Sequence, residues 1–304
     1  MLARTQEALH QTRDSEASQK VTALRRLLSG LFDYAGLFPP ASLPLPTAIE
    51  DYRHYLVGPR ADALGCLVIG LAHVPTLSAI SPADLGMIPL SASGAFSDPW
   101  AKISDLLNAG FCVRMVEVKI DEVSQVHALG KIMPPNVTMY FEIPFHRVME
   151  DFLSAIASVG GRVKLRMGGV SPEAFPDVDT VAATLQCLAA HHLRFKATAG
   201  LHHPIRSSHP VTSAPDAPAV WMHGFLNFCC AAALLHQRGS LHNAAALLAE
   251  QDPSAWTVAQ DFVQWRSHRW SIRHLAELRD NFLMSIGSCS FTEPFEDLEA
   301  LGWL

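Results

Sequence analysis

Residues 194–204 read RFKATAGLHHP. An apolar strand pattern, Arg194–Ala199, runs into a small-residue turn and then a histidine pair, His202 and His203. An apolar run that ends abruptly in polar groups fits a buried parallel strand, and in a barrel of such strands the chemistry sits at the C-terminal ends. Outward from this stretch, similar runs recur. They are Gly65–Ala72, Gly86–Ser91, Val113–Lys119, Val137–Ile143, Arg162–Met167, Ala219–His223 and Phe282–Gly287. Helical spacing falls between most of them, at Pro99–Leu107, Asp121–Gly130, Phe145–Val159, Asp179–His192 and Phe225–His236. Eight strands alternating with helices over about 240 residues is the arithmetic of a (β/α)8 TIM barrel.

The alternation starts near residue 61. Residues 1–60 therefore read as an N-terminal helical extension packed on a barrel domain of residues 61–304. Residues 1–19 are polar and read as disordered or as a loose helix. Val21–Leu31 and Thr47–Leu56 read as helices, and FDYAGLFPPASLPLP between them reads as an ordered apolar loop. Asp33 and Tyr34 in that loop face either the mouth or the floor of the barrel. Residues 224–281 promise two or three extra helices before the last strand. HPVTSAPDAPAV (209–220) reads as a loop crossing the barrel mouth. An open doubly wound sheet is the competing fold. It calls for a glycine-rich turn after the first strand, where this chain has AHVPTLS.

The 304 residues are 49% hydrophobic, with mean hydropathy +0.16, which is enough for a sizeable core. A net charge of −6 argues against nucleic acid as a partner. The N-terminus has no apolar leader segment, and Phe225–Leu235, interrupted by Asn227, is too short to span a bilayer. Six cysteines without a CxxC pattern point to a reduced, cytoplasmic protein.

Polar groups inside the apolar runs mark the candidate site. Glu142 lies near the end of VTMYFEIPF, where an unpaired carboxylate is costly. In RVKLRMGG, Lys164 and Arg166 are two apart and share one side, before a Gly168-Gly169 turn that admits close approach of a ligand. Lys196 shares its side with Thr198 and is a neighbour of Lys164 across adjacent strands. A lysine beside other cations in a dry pocket has a lowered pKa, and a neutral amine attacks carbonyls. A charged lysine holding a carboxylate or phosphate is the alternative. His202 and His203 diverge, so at most one of them points inward. His223 ends the Ala219–His223 run, and Asn227 follows in the first helical turn. After Phe282–Gly287, Ser288 and Ser290 resemble an anion cradle, but Glu293, Glu296 and Asp297 make that turn acidic.

The stretches DYAGLFPPASLP, GPRADALG, KLRMGG, FKATAGLHHP, HGFLN and GSCSFTEPFEDL resemble a family of bacterial hypothetical proteins over most of the chain. More remotely, a lysine on the sixth strand counted from Gly65 resembles class I aldolase barrels of the deoxyribose-phosphate aldolase and dihydrodipicolinate synthase type. That resemblance implies Lys196 as a Schiff-base lysine, Lys164 as the cation lowering its pKa, and Glu142 or a histidine as the proton shuttle. TAGLHHP departs from those enzymes in carrying two histidines.

Three functions follow. The first is an aldolase-like lyase acting on a small carbonyl or polyol metabolite without a cofactor. Lys196, Lys164, Glu142, His203 and His223 would be catalytic, and Arg166, His202, Asn227, Ser288 and Ser290 would bind substrate. The second is a hydrolase or isomerase with one divalent metal ion on Glu142, His203 and His223. The third is a non-catalytic ligand- or partner-binding barrel. A homo-oligomer built on the 224–281 helices is compatible with each.

Overall fold

A three-residue strand, β1 (Phe32–Tyr34), closes the barrel. It pairs in parallel with the last strand on one side, Phe32 opposite Ile286, and with the next strand on the other, Phe32 opposite Leu64. The computed structural model describes residues 22–77, 88–97, 100, 102–148, 150–212 and 214–304. The reading of residues 1–19, and the Gly86 and Pro99 starts of two predicted elements, lie outside these.

The other strands in the barrel are β2 (Leu64–Gly70), β3 (Leu90–Ala95), β4 (Val113–Lys119), β5 (Thr138–Glu142), β6 (Arg162–Arg166), β7 (Phe195–Thr198) and β13 (Leu283–Ser288). They follow one another in chain order around a closed parallel barrel. The described helices are α1 (Ala23–Leu28), α2 (Leu45–Leu56), α3 (Val74–Leu77), α4 (Lys102–Asn108), α5 (Val123–Ile132), α6 (Glu150–Ser158), α7 (Val178–Ala190), α8 (Phe225–His236), α9 (Leu241–Ala249), α10 (Ile272–Asn281) and α11 (Glu293–Ala300). The fold is a (β/α)8 TIM barrel with an N-terminal helix and extra elements before the last strand.

Local chemistry sets the helix starts. The Asp177 carboxylate accepts the Thr180 N–H at 2.8 Å and opens α7. Ser271 and His274 form a reciprocal capping pair on α10. Pro at the start of α2 costs no hydrogen bond there, because the first N–H groups of a helix lack partners anyway. From Phe225 to Leu235 every residue of α8 is buried, since α7, α9 and α10 surround it. Its all-round apolar sequence is what such a position demands.

Two expectations are corrected. Residues 32–34 were read as part of a loop, yet they form a barrel strand, so the barrel begins well before residue 61. A three-residue strand is too short to show a period. Its alternation appears only in place: Asp33 points inward, while the Phe32 ring packs edge-on against Phe225 and Phe295 outside. The run Ala219–His223 was counted as a barrel strand. Instead β9 (Ala219–Met222) pairs antiparallel with β8 (Ser207–Pro210) as a hairpin at the mouth. A four-residue apolar run has no signal that separates a buried strand from a flap, and Trp221 is largely exposed. The 224–281 segment holds α8, α9 and α10. It also holds an unpredicted antiparallel sheet of β10 (Trp256–Val258), β11 (Phe262–Trp265) and β12 (His268–Ser271).

The turns after β6 and β7 press together. Gly200 has φ +66°, and a Cβ there would stand 2.8 Å from the Met167 carbonyl oxygen. A Cβ on Gly168 would meet Gly200 Cα at 2.9 Å. Gly200→Ala is expected to destabilise the protein by about 1–3 kcal/mol through backbone strain and contact, read as a lowered urea midpoint at unchanged slope.

Candidate active site

Inward-facing positions of seven barrel strands carry a connected polar core. Asp33 on β1 accepts the Cys66 backbone N–H of β2 at 2.7 Å and the Ser285 hydroxyl of β13 at 2.6 Å. It also accepts from Lys196 Nζ of β7 at 2.5 Å. Lys196 donates in turn to Glu117 of β4 at 2.7 Å, and Ser91 of β3 donates to the same carboxylate oxygen at 2.5 Å. The other Glu117 oxygen stands 2.8 Å from Lys164 Nζ on β6. Lys164 reaches on to Glu142 of β5 at 2.8 Å. Arg166 closes the series, with Nε donating to Glu142 Oε1 at 2.7 Å. Asp33, Lys196, Glu117, Lys164, Glu142 and Arg166 thus alternate in sign from the barrel interior to its mouth. Three carboxylates meet three cations, and their formal charges cancel.

This arrangement sets the protonation states. Burial alone would push the Glu117 carboxyl up, but the Lys164 and Lys196 ammonium groups outweigh it and hold Glu117 well below the usual range. Burial likewise raises Glu142, and Lys164 with Arg166 brings it down to about 2. Burial would lower Lys196, yet the Asp33 and Glu117 carboxylates lift it above the ordinary lysine value. Lys196 was expected to be a neutral amine activated by neighbouring cations. The structure makes it a fully buried ammonium ion between two carboxylates. It is also on the seventh barrel strand once β1 is counted, and Lys164 is on the sixth. Lys164 and Lys196 are in register across β6 and β7, as expected.

Above Lys164 opens a cavity of about 770 Å³ at the C-terminal strand ends. Glu117, Lys164, Arg166 and Thr198 form part of its floor. One wall comes from the loop after β1, Ala35 and Phe38–Ala41. The β8–β9 hairpin covers it with His209, Pro210, Val211, Thr212 and Met222. The 209–220 segment, expected as a loop across the mouth, has its ends in the β8–β9 hairpin, and its residues His209–Thr212 line the cavity.

Both histidines of the 202–203 pair line this cavity, which corrects the expectation that at most one faces it. His202 Nδ1 lies 3.1 Å from Glu293, and His203 Nδ1 lies 2.6 Å from Asp297. The acidic first turn of α11, read as repelling phosphate, is engaged in orienting the two rings. The Glu293 carboxyl is held below its ordinary value mainly by the His202 hydrogen bond. His203 also stacks on His209, with ring centroids 3.5 Å apart. Ser290 lines the cavity and its hydroxyl accepts the Glu293 N–H, so it caps α11, whereas Ser288 is buried and donates to the Ser290 carbonyl.

His223 and Asn227 do not reach the cavity. His223 is buried between the Pro176 carbonyl, 2.8 Å from Nε2, and the Arg206 guanidinium, and burial brings its pKa down to about 4. Asn227 donates to the Leu247 and Glu250 carbonyls and accepts the Arg206 N–H. The Glu142, His203 and His223 set is therefore not brought together, and among the described residues no three His, Cys, Asp or Glu side chains form a group that could hold a metal ion. Tyr34 points away from the barrel and donates to Asp51 at 3.0 Å.

The sequence reading passed over Glu117, which sits mid-strand in VRMVEVK by the same logic that flagged Glu142. Asp33, Glu293 and Asp297 gave no such signal, because their partners are far away in the chain.

No protein-family model and no curated protein sequence matches the chain. Among solved structures it is similar to a point mutant of FabK from Thermotoga maritima, at 15% identity and TM-score 0.36, over 60% of this chain and 58% of that one. It is similar to FabK itself at 15% identity and TM-score 0.33, over 60% and 55%. The matched part spans little more than half the length of those chains. Among the described residues, no helix is long and apolar enough to cross a membrane.

Two outcomes test the polar core. Asp33→Ala strands Lys196 beside a lost partner and is expected to cost about 3–5 kcal/mol in denaturant unfolding. The pH dependence has a defined sign. Glu142 and Glu117 are depressed, so their contribution is complete above the ordinary carboxylate value of 4.5 and is lost on acidification from there, that of Glu142 toward about 2 and that of Glu117 at still lower pH. Lys196 is raised, so its contribution is complete below the ordinary lysine value of 10.5 and declines above it. Unfolding free energy measured against pH is expected to fall on acidification from 6.5 through His223, whose pKa is lowered, and further below 4.5 through the two carboxylates, and to fall on the alkaline side from 9.0 through the raised Cys66 and Cys229 thiols and from 10.5 through Lys196.

Proposed function

We propose that this chain is a barrel enzyme acting on a small carbonyl compound, as a lyase or isomerase that passes through an enolate. The observation that carries the reading is Lys164. Two of its N–H bonds point at Glu117 and Glu142, and the third has no acceptor among the described residues, at the floor of the cavity. A fixed ammonium ion at the floor of a cavity stabilises negative charge that develops on a carbonyl oxygen. Arg166 lies two residues on, on the same side, and half of its side chain is exposed. It suits a second oxygen or carboxylate of the same molecule.

His202, which lines the same cavity and is oriented by Glu293, serves as the base. It removes the proton from the carbon beside the carbonyl, and the electron pair of that C–H bond moves to the carbonyl oxygen, against Lys164. With an α-hydroxy carbonyl compound, return of the proton to the former carbonyl carbon, as the α-hydroxyl proton passes to the former carbonyl oxygen, gives an isomerase. Expulsion of a group one carbon further out, with the electron pair passing back from the oxygen, gives a lyase.

A second reading keeps the Schiff base but moves it to Lys164, the lysine that meets the cavity. It requires transfer of a proton from Lys164 to a carboxylate before attack, against the pull of two anions.

Proton NMR in D2O on a panel of small hydroxyketones, aldehydes and keto acids tests both. Deuterium incorporation beside the carbonyl is expected for at least one compound, and Lys164→Met is expected to slow it by about a hundred- to a thousandfold. His202→Ala is expected to lower the same rate. Failure of every compound to exchange overturns the proposal. Borohydride reduction that fixes substrate on Lys164 replaces it with the Schiff-base route.

A further inference from the structure

A second cleft of about 700 Å³ adjoins the first. It lies outside the barrel axis, between the 143–148 segment after β5, the 173–176 segment after β6, and α7. The two cavities share Arg166 and Ala174, and the Arg166–Glu142 pair stands between them. Its lining is mainly apolar, with Ile143, Pro144, Phe145, Val148, Ala174 and Ala183. Two cations face it. Lys119 is exposed and has no partner among the described residues. Arg166 uses Nε and Nη2 on Glu142 and leaves Nη1 without an acceptor among the described residues. Glu142 is neutralised by Lys164 and Arg166, and Glu173 is exposed and hydrogen-bonded to Ser171.

We infer that this cleft is a binding site for an apolar carboxylic acid, its carboxylate on Arg166 and Lys119 and its hydrocarbon body on the Ile143–Phe145 wall and the face of α7. Two independent features converge on that class. An apolar trough removes hydrocarbon from water, and a guanidinium with free N–H groups at its inner end matches a carboxylate. A purely anionic ligand has no use for the trough, and a neutral hydrocarbon leaves Lys119 and the Nη1 of Arg166 unanswered. The cleft and the main cavity meet at Arg166, which lines both. The inference therefore deepens the proposed function, on which its last step rests: the substrate is a carbonyl compound whose acidic end lies at Arg166 and whose apolar substituent extends into the second cleft.

Two cysteines make the site testable without turnover. Cys187 on α7 is exposed and lines this cleft, while Cys289 lines the main cavity. Rates of maleimide modification at each, resolved by peptide mass spectrometry, are measured with phenylacetate, with benzyl alcohol and with acetate. Phenylacetate is expected to slow Cys187 modification saturably, by about tenfold when present well above its dissociation constant. Benzyl alcohol and acetate at the same concentration are expected to leave it unchanged. Ala183→Trp, which fills the cleft, and Lys119→Glu, a change at an exposed side chain, are each expected to abolish the protection. Unaltered Cys187 rates with phenylacetate overturn the inference, as does equal protection by benzyl alcohol or protection that survives both variants. The proposed function fails separately, through the absence of deuterium exchange, so protection without exchange leaves the cleft assigned and the reaction rejected.

Discussion

The Asp33 carboxylate joins four strands at one point. It takes the β2 backbone at Cys66, the β13 hydroxyl of Ser285 and the β7 ammonium of Lys196, from its own place on β1. β1 has only three residues, so its backbone ladder alone is a weak seam between β2 and β13. Asp33 adds charged contacts across that seam, at a place with no water to compete for them. The rest of the series follows from this choice. A buried carboxylate demands a cation, Lys196 then has capacity for a second carboxylate, and the pairing propagates through Glu117, Lys164 and Glu142 until it reaches exposed Arg166. TIM-barrel interiors are commonly filled by branched apolar side chains. Here much of that volume is held by neutralised charge, which is costly to desolvate and gains little over a packed hydrocarbon core. Such a core is more readily understood as positioning Lys164 than as adding stability.

Pre-organisation is the physical content of that positioning. Lys164 is held by two carboxylates that are themselves held, so its remaining N–H has one direction available. The rim repeats the pattern more loosely. His202 and His203 are each oriented by an acid of α11, and the His203–His209 stack ties the β8–β9 hairpin to the same cluster. Glycines at 168 and 200 let the β6 and β7 turns approach closely enough for the barrel mouth to narrow over Lys164. The loop after β1 and the hairpin line the cavity from two sides.

Arg166 marks the boundary between the two cavities. It completes the charge series, lines both cavities and retains a free donor. A residue so placed links the apolar cleft along α7 to the ammonium ion of the inner site, and a substrate with a carbonyl, an acid and a hydrocarbon part would engage all three.

The sequence by itself determined the barrel, because parallel strands buried on both faces need continuous apolar runs and the helices between them need a 3.6-residue period. Both signals are local. It also placed Lys164, Arg166 and Glu142 together, since two-residue spacing and adjacent strands are enough for that. Only the tertiary structure decided which apolar runs enter the barrel. Phe32–Tyr34 is too short to show a period, and Ala219–His223 is apolar for the sake of a flap. Only the tertiary structure decided what each charge does. The ionisation of Lys196 depends on Asp33, 163 residues away, and on Glu117, 79 residues away, so no window of sequence contains the field that fixes it. His223 and Asn227 had the spacing of site residues but serve the packing of the helices, because burial and partner geometry, not residue type, assign a polar group its role.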